Sequence, residues 1–512
     1  MAQNGIVILD YGSQYTQLIA RRIRAKKVFS QILPFSTERD QVFESHPKGL
    51  ILSGGPSSVF GDNAPGLPEW IDSIDVPVLG ICYGLHLLAQ HLGAPVQPST
   101  VAEYGHTQVT LDQSASLFTG LPKTLRVWMS HGDKVLEAPT NAGVVASSEE
   151  CKIAGFADLS RKLYAVQFHP EVHHTENGEQ ILDNFVFDIC RCSPDWIPRS
   201  IVHETVDQIA EQVGDGRVIC AVSGGVDSSV TACLVDQAVG KRLVCVFVDN
   251  GLLREGEFEG VVDLLGQQLT APLVVVEARE RFLERLKGIT EPEEKRVRIG
   301  NLFIEIFEEV SSEKGPFEFL AQGTLYPDRI ESVATFGPSV TIKTHHNVGG
   351  LPEKLNFHLI EPLASLFKDE VREIGVELGI PAEQLARHPF PGPGLAVRVL
   401  GEVTEERLSI LRKADKIFID GLKRWNFYDE VWQAGVILLP VHSVGVMGDA
   451  RTYENAAVLR AVTSTDGMTA DWSKLDPAFL QEISNRIINS VTGINRVAYD
   501  ISSKPPSTIE WE

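Results

Sequence analysis

The segment Arg217–Thr231, RVICAVSGGVDSSVT, sets a short polar loop between two apolar runs. Residues 218–222 are apolar and predict a buried strand, while residues 230–239 favour a helix that Gly240 ends. The two glycines of the loop permit a tight turn and a close approach to a ligand. The N–H groups of the loop and of the helix N-terminus converge on one place, which suits a phosphate. The segment therefore predicts a phosphate-binding loop between a strand and a helix.

The loop also carries a carboxylate, Asp227, which on its own would repel a phosphate. A bridging Mg²⁺ would remove this conflict, because Mg²⁺ favours carboxylate and phosphate oxygens together. The lysine of the common phosphate loop, GxxxxGK[ST], is absent. The pattern SGGxDS after a strand instead resembles the ATP-pyrophosphatases, which cut ATP between its α and β phosphates and adenylate an acceptor. The resemblance implies an ATP site that contains Ser223, Gly224, Gly225, Val226, Asp227, Ser228 and Ser229.

Composition limits the class of protein. A chain of 512 residues suggests about three domains, taking roughly 150 residues for each. The net charge of −22 disfavours general binding to nucleic acid or anionic membranes. No apolar run approaches the roughly 18 residues of a membrane span, and the N-terminus lacks the pattern of a signal peptide. Seven cysteines without regular spacing predict a reducing cytoplasm, no disulfide framework and no structural metal.

A second motif lies near the N-terminus, where residues 76–81 predict a strand that runs into Cys82. The pattern GxCxG between this strand and a helix predicted over residues 87–92 is the cysteine form of a nucleophile elbow. The helix N-terminus favours a thiolate and offers N–H donors to an oxyanion. A further strand, residues 163–168, ends at His169, and Glu171 follows two residues later. This spacing lets an imidazole and a carboxylate face one site, as a thiolate nucleophile requires.

Residues from about 5 to 193 resemble the triad-type glutamine amidotransferases. The resemblance implies that Cys82 attacks the side-chain amide of glutamine, His169 moves protons and Glu171 orients His169. It also implies that Gly54, Gly55 and the Tyr83 amide hold the oxyanion. One position differs, since His86 stands where the family usually has the glutamine that helps to hold the substrate.

Strands and helices alternate through most of the chain, and this predicts parallel sheets covered by helices on both faces. We expect an α/β protein with two doubly wound, mostly parallel-sheet domains and a smaller α+β C-terminal domain. The expected boundaries are 1–195, 196–390 and 391–512. Because nucleotides bind at the carboxyl ends of such strands, Val248, Gly323 and Thr324 join the expected ATP site.

Three later segments complete the pattern. Residues 342–356, IKTHHNVGGLPEKLN, predict a lid in which Lys343 could supply positive charge. The turn-rich HPFPGPG at residues 388–394 predicts a domain boundary. The final residues, KPPSTIEWE, contain an isoleucine and a tryptophan, so we expect the tail to be packed rather than frayed.

The glutaminase motifs, the SGGVDS loop, the IKTHHN lid, the HPFPGPG turn and the tail occur in this order in the glutamine-hydrolysing GMP synthetases, which the whole chain resembles. The resemblance implies the substrates glutamine, ATP and xanthosine monophosphate (XMP), with Mg²⁺ as cofactor, and a homodimer formed by the final domain. It places XMP against Arg296, Lys504, Ile509 and Glu510. Two alternatives stay open: an enzyme of the same loop type that adenylates tRNA, and a non-catalytic sensor of glutamine or nucleotide.

Overall fold

The computed structural model describes residues 4–56, 58–328, 357–447, 450–464 and 469–512. They form two compact units, of which the first ends at Ile201 and the second begins at Val202. No helix in these ranges is long and apolar enough to cross a membrane. The lid predicted at residues 342–356, with Lys343, lies outside the described residues.

The first unit is built on one large sheet. Its strands are β1 Ile6–Asp10, β2 Ser30–Pro34, β3 Gly49–Leu52, β4 Val78–Ile81, β5 Val96–Leu111, β6 Thr124–Val135, β7 Gly143–Ser147, β8 Gly155–Asp158 and β9 Leu163–Val166. Its helices are α1 Thr16–Ala25, α2 Arg39–Phe43, α3 Tyr83–His91 and α4 Gly178–Asp183, and a π-helix, Asn184–Ile189, continues α4. Short 3₁₀ helices occupy Glu69–Ser73 and Ser116–Phe118.

The order of the nine strands is β2-β1-β3-β4-β9-β8-β7-β5-β6. The first five of these are parallel, and the remaining four pair antiparallel. The strand β4 lies beside β9, with Ile81 opposite Val166, so both chains leave the sheet at the same edge. This pairing brings the segments that follow the two strands together, and those segments carry Cys82 and His169.

The second unit opens with a five-stranded sheet in which every strand is parallel. Its strands are β10 Val218–Ala221, β11 Leu243–Asp249, β12 Leu273–Glu277, β13 Phe319–Ala321 and β14 His358–Ile360, in the order β12-β11-β10-β13-β14. Its helices are α5 Pro198–Val213, α6 Val226–Val239, α7 Glu257–Gln268, α8 Arg279–Leu286, α9 Pro292–Lys314, α10 Lys368–Glu377 and α11 Ala382–Leu385, with a 3₁₀ helix at Gly240–Arg242. Because β10 is central, the loop after it lies between the ends of β11 and β13.

The C-terminal part of this unit is a smaller α+β region. Its strands are β15 Gln433–Met447, β16 Ala450–Thr463, β17 Asp471–Trp472 and β18 Ile494–Tyr499; its helices are α12 Glu405–Arg424 and α13 Pro477–Ser490, with 3₁₀ helices at Gly394–Arg398 and Tyr428–Glu430. The strands β15 and β16 form a long antiparallel hairpin, and β18 pairs parallel with β16. A single apolar core joins these elements to α8 and α9, through side chains such as Phe282, Leu302, Phe418 and Phe479.

The predicted fold class is confirmed, and two helix starts were placed too late. The helix α3 begins at Tyr83, directly after the nucleophile, and not at Leu87. The helix α6 begins at Val226 and not at residue 230, so Asp227, Ser228 and Ser229 belong to its first turn. A carboxylate such as Asp227 in the first helical turn complements the helix dipole, which favours the earlier start.

Candidate active sites

The nucleophile elbow of the first unit is strained at Cys82. This residue has φ 54° and ψ −100°, a conformation that side-chain-bearing residues rarely adopt. The two flanking glycines permit it, because a Cβ on Gly80 would lie 2.6 Å from the Gly84 oxygen. A Cβ on Gly84 would lie 2.5 Å from the Leu52 oxygen. The GxCxG pattern is therefore a steric requirement of this turn, which carries Cys82 to the start of α3.

A histidine and a carboxylate lie beside the nucleophile. The Nδ1–H of His169 donates to Oε1 of Glu171 over 2.7 Å, and both side chains are buried. Burial acts to lower the pKa of His169, but the charge of Glu171 and hydrogen bonds to Cys82 and Glu171 outweigh it. They hold the pKa well above the ordinary value of 6.5. The arrangement is a nucleophile, a base and an orienting carboxylate, which can perform acyl transfer through a thiolate and an imidazolium.

The predicted oxyanion residues lie at the same place. A Cβ on Gly54 would come within 3.1 Å of the His169 ring, and one on Gly55 within 2.7 Å of the Tyr11 oxygen. Gly54 thus brings bare backbone up to the ring of His169, and Gly55 packs against the backbone of Tyr11. Tyr83 is the first residue of α3, so its N–H has no acceptor within the helix. The sequence did not indicate Tyr15, whose ring meets the His169 ring edge-on at 5.0 Å.

His86, the position at which the sequence departs from the amidotransferase pattern, is 3% exposed. Its Nε2 donates to Oε1 of Gln167 over 2.8 Å. Burial lowers the pKa of His86 to about 4, so the imidazole is neutral near pH 7. His86 is therefore a neutral polar group that holds Gln167, two residues before the catalytic histidine.

In the second unit, serine hydroxyls close the phosphate loop. Oγ of Ser228 accepts from the Ser223 N–H over 3.2 Å and donates to the Gly225 oxygen over 3.1 Å. Gly224 has φ +76°, and a Cβ there would lie 2.2 Å from Val261, so this position requires glycine. The loop is thus a fixed turn at the N-terminus of α6.

The residues predicted from neighbouring strands lie against this turn. A Cβ on Gly323 would come within 3.3 Å of the backbone oxygen of Asp227. The hydroxyl of Thr324 is buried and has no hydrogen-bond partner among the described residues. Val248 lies in β11, one residue before the strand ends. The loop therefore lies at the carboxyl ends of β10, β11 and β13, and the ATP site expected there stays a prediction.

Asp227 has a partner that the sequence did not indicate. Nζ of Lys368, the first residue of α10, lies 2.5 Å from both carboxylate oxygens. A lysine at the start of a helix is unremarkable in a sequence, and 141 residues separate the pair. The carboxylate proposed to bind a metal thus already faces a cation.

The C-terminal tail is held by ion pairs, so the expectation of a packed tail is confirmed for Ile509, which is half-buried, but was wrong for Trp511, which is 40% exposed. Glu510 accepts from Nε and Nη2 of Arg398 over 3.0 and 2.8 Å. The backbone of Lys504 pairs with that of Ala470. Arg296 donates to the backbone oxygen of Glu512. The residues that line a small cavity beside the tail are Arg398, Gln433, Ala434, Gly435, Ile437, Arg460, Ile509 and Glu510. Of the four residues expected to bind XMP, Ile509 and Glu510 line this cavity.

Comparison with known proteins gives the family. Residues 7–189 match the model described as glutamine amidotransferase class-I, and residues 420–511 match that of the GMP synthase C terminal domain. A GMP synthase (glutamine-hydrolyzing) of Caldanaerobacter subterraneus subsp. tengcongensis is 54% identical over 507 residues, 99% of each chain. Similar relatives occur in Nitratidesulfovibrio vulgaris, at 54% identity over 100% of both chains, and in Chlorobium phaeovibrioides, at 55% over 99% of both.

The chain belongs to the glutamine-hydrolysing GMP synthases. Full-length similarity at this level confirms the predicted family and enzyme class. The amidotransferase match contains Cys82, His169 and Glu171, and the C-terminal match contains the tail residues Lys504 to Glu510. The phosphate loop at residues 223–229 lies between the two matched segments.

Proposed function

We propose that the chain makes GMP from XMP, with ammonia from glutamine and activation by ATP. The observation that carries the proposal is the buried Cys82–His169–Glu171 group at one sheet edge. It occurs in the same chain as a lysine-free phosphate loop and a tail fixed by arginines. A glutaminase, an adenylating site and an acceptor site beside the tail together fit amide-nitrogen transfer to a purine.

In the first unit, Sγ of Cys82 attacks the side-chain carbonyl carbon of glutamine. The backbone N–H groups at Tyr83 and Gly55 stabilise the oxyanion, and His169 donates its proton to the leaving nitrogen. The C–N bond breaks, ammonia leaves, and a thioester remains on Cys82. His169 then takes a proton from water, which hydrolyses the thioester to glutamate. Glu171 keeps Nδ1 of His169 protonated and oriented throughout, so Nε2 faces the reaction.

In the second unit, the loop at Ser223 to Ser229 binds the β and γ phosphates of ATP. The C2 oxygen of XMP attacks the α-phosphorus, the bond to the β-phosphate breaks, and pyrophosphate leaves. Ammonia then attacks C2, and AMP departs with the oxygen. Adenylation is needed because the C2 oxygen is otherwise a poor leaving group.

Asp227 fits the proposed Mg²⁺ through its donor chemistry. Its two oxygens already face the ammonium group of Lys368, so the site favours positive charge. Mg²⁺ bound there would neutralise charge that develops on the leaving pyrophosphate. With Mg²⁺ held by Asp227, Lys368 would supply a second positive charge beside the phosphates.

The acceptor site is proposed at the tail. Glu510 and Ile509 line the cavity beside Arg398, and Arg296 lies next to the chain terminus. Lys504 is fixed through its backbone at the base of the tail. Lys343 would close over the nucleotides as part of the lid.

Assembly and location complete the proposal. Val441, Val444, Val446 and Tyr453 on the β15–β16 hairpin are more than half exposed, which supports a homodimer through this region. All seven cysteines are free, which supports a reducing cytoplasm. The expectation of no structural metal stays a prediction, because Glu103, His131 and Cys151 place ligand-type atoms within 4.8 Å of one another. Metal analysis of the purified protein tests it.

Product analysis tests the proposed function. The protein is incubated with XMP, ATP, Mg²⁺ and glutamine, and products are separated by liquid chromatography. We expect GMP, AMP, pyrophosphate and glutamate in equal amounts. ADP and inorganic phosphate as first products would contradict cleavage between the α and β phosphates, and the absence of GMP would contradict the acceptor.

A further inference from the structure

Two side chains that follow α10 in the sequence, Gln384 and Arg387, bind the backbone of the phosphate loop. The oxygen of Gly224 accepts from Nε2 of Gln384 over 2.7 Å and from Nη1 of Arg387 over 3.1 Å. Within one peptide group, the C=O of Gly224 and the N–H of Gly225 point in opposite directions. Fixing that oxygen therefore fixes the direction of an N–H group in the proposed phosphate site. Arg387 is thus placed to act as a positioning residue.

Arg387 is also the first member of a chain of charged side chains. Its Nη2 donates to Oε1 of Glu257, and Oε2 of Glu257 accepts from the backbone N–H of Arg254 over 2.9 Å. Nε of Arg254 lies 3.4 Å from Oδ2 of Asp415. The signs of the charges alternate, so each member is attracted to both of its neighbours.

The chain continues into the tail. Nη1 of Arg398 lies 3.6 Å from Oδ1 of Asp415, and the same guanidinium binds Glu510 over 2.8 and 3.0 Å. Arg398 and Asp415 are 1% and 2% exposed, so their charges are little screened by solvent. The ring of Phe390 lies under both Arg254 and Arg398, at 5.0 and 5.3 Å. Three arginines and three carboxylates of alternating sign therefore lie between the phosphate loop and the tail. All of the links are ion pairs except that of Glu257 to Arg254, which is a hydrogen bond to the backbone N–H together with the attraction between the two charges.

A buried charge whose partner moves is costly unless its other neighbours adjust. XMP that binds Glu510 would weaken the ion pair between Glu510 and Arg398. Arg398 would then interact more strongly with Asp415, and the interactions of Asp415 with Arg254 and of Arg254 with Glu257 would change in turn. ATP that engages the loop would act on the other end through Gly224 and Arg387. We infer that this chain of charged side chains couples occupancy of the ATP site to occupancy of the XMP site. The inference rests on the proposed function, since it takes both ligands from it.

Isosteric substitutions interrupt the chain with little change of shape. Asp415→Asn removes the charge between the two arginines and keeps an oxygen for the Val436 N–H, which Oδ1 now accepts over 3.1 Å. Glu257→Gln removes the charge between Arg254 and Arg387 and keeps its acceptor oxygen. The matched control is Glu309→Gln, which neutralises a carboxylate of the same unit in an exposed pair with Arg281.

The measurement is the Kd of XMP by calorimetry, with and without saturating α,β-methylene ATP and Mg²⁺. In the unaltered protein and the Glu309→Gln control, we expect the analogue to lower the Kd about fivefold or more. In Asp415→Asn and Glu257→Gln, whose thermal unfolding shows an intact fold, we expect this ratio to fall to about one. A ratio near one in the unaltered protein, or an unchanged ratio in both variants, overturns the coupling. Failure of the unaltered protein to bind XMP at all instead contradicts the proposed function.

Discussion

At the scale of single residues, chemistry is set by what surrounds each titratable group. His169 and His86 are both buried in the first unit, yet their pKa values move in opposite directions. Glu171 lies 2.7 Å from His169 and supplies a negative charge that favours the imidazolium. His86 faces the neutral amide of Gln167, which does not offset the cost of burying a charge. His169 is therefore suited to move protons, and His86 is suited to hold the side chain of Gln167 in place.

The first prediction concerns Glu171→Gln. Loss of the carboxylate charge should lower the pKa of His169 and reduce glutamine hydrolysis by at least about tenfold. The loss should be smaller than for a change of Cys82, because an orienting group usually matters less than the nucleophile. The pKa is measured from the imidazole NMR signals during a pH titration. Because the pKa in the folded state lies above the ordinary 6.5, protonated His169 stabilises the fold below that pH. This stabilisation is lost as pH rises through the raised pKa. An unchanged pKa in the variant would remove Glu171 from the triad.

The second prediction concerns His86→Gln. The folded-state pKa of about 4 lies below the ordinary 6.5, so the unfolded chain takes up the proton first. His86 should therefore destabilise the fold as pH falls from 6.5 towards 4, by about 2 kcal/mol at pH 5. In His86→Gln the unfolding midpoint in urea should fall less between pH 7 and pH 5. Equal losses in both proteins would show that His86 is not buried in its neutral form.

At the scale of elements, the ends of adjacent strands decide where the sites lie. Cys82 follows β4 and His169 follows β9, and the parallel pairing of these strands brings the two residues together. The loop after β10 lies between β11 and β13 for the same reason. Strand ends are readable from the sequence, because apolar runs that stop at glycine, serine or histidine mark them. The triad and the phosphate loop could therefore be predicted.

Other features could not be read in this way. Lys368, Arg387 and Arg398 act through partners more than 100 residues away, and no local pattern records such pairings. The antiparallel strands β5 to β8 were not predicted: β6 alternates polar and apolar residues, and β7 and β8 are only five and four residues long. The starts of α3 and α6 were placed late because glycines and serines resemble loop residues, although here they form first helical turns.

The third prediction concerns the phosphate loop. Asp227→Asn should lower GMP formation on the order of 100-fold or more, because the proposed metal ligand and the partner of Lys368 are lost together. Asp263→Asn, which changes an exposed carboxylate of the same unit, serves as the control. Pyrophosphate release is followed with XMP, ATP and ammonium salt, so that the glutaminase does not contribute. Near-normal turnover of Asp227→Asn at saturating Mg²⁺ would exclude Asp227 from the mechanism.

The fourth prediction concerns the tail. Deletion of residues 504–512 removes Glu510 from Arg398 and Glu512 from the buried Lys295, so XMP-dependent synthesis should be lost or need far more XMP. Because this deletion takes a carboxylate away from each of two buried cations, Glu510→Gln is the milder companion, with the KM for XMP raised at least about tenfold. Sedimentation of both proteins separates an effect on XMP from an effect on assembly. An unchanged KM for XMP in both would contradict the proposed acceptor site.

At the scale of the whole molecule, two chemistries that need different surroundings occupy two compact units. The thiolate chemistry takes place at the edge of a mixed sheet with a buried imidazole, and the phosphate chemistry at the N-terminus of a helix in a parallel sheet. Neither set of side chains occurs in the other unit, and ammonia is the only species that both reactions share in the proposed function. A single substitution should therefore abolish one half-reaction and leave the other intact.

Synthesis by Cys82→Ala tests this claim most directly. GMP formation is measured with glutamine and, in parallel, with ammonium salt, for the unaltered protein and the variant. We expect the variant to lose glutamine-dependent synthesis on the order of 10⁴-fold, because no thioester can form. With ammonium salt it should match the unaltered protein, and the rate should rise with pH because more of the ammonium is deprotonated to NH₃. Loss of both activities in a folded variant, or retention of glutamine-dependent synthesis, would contradict the account.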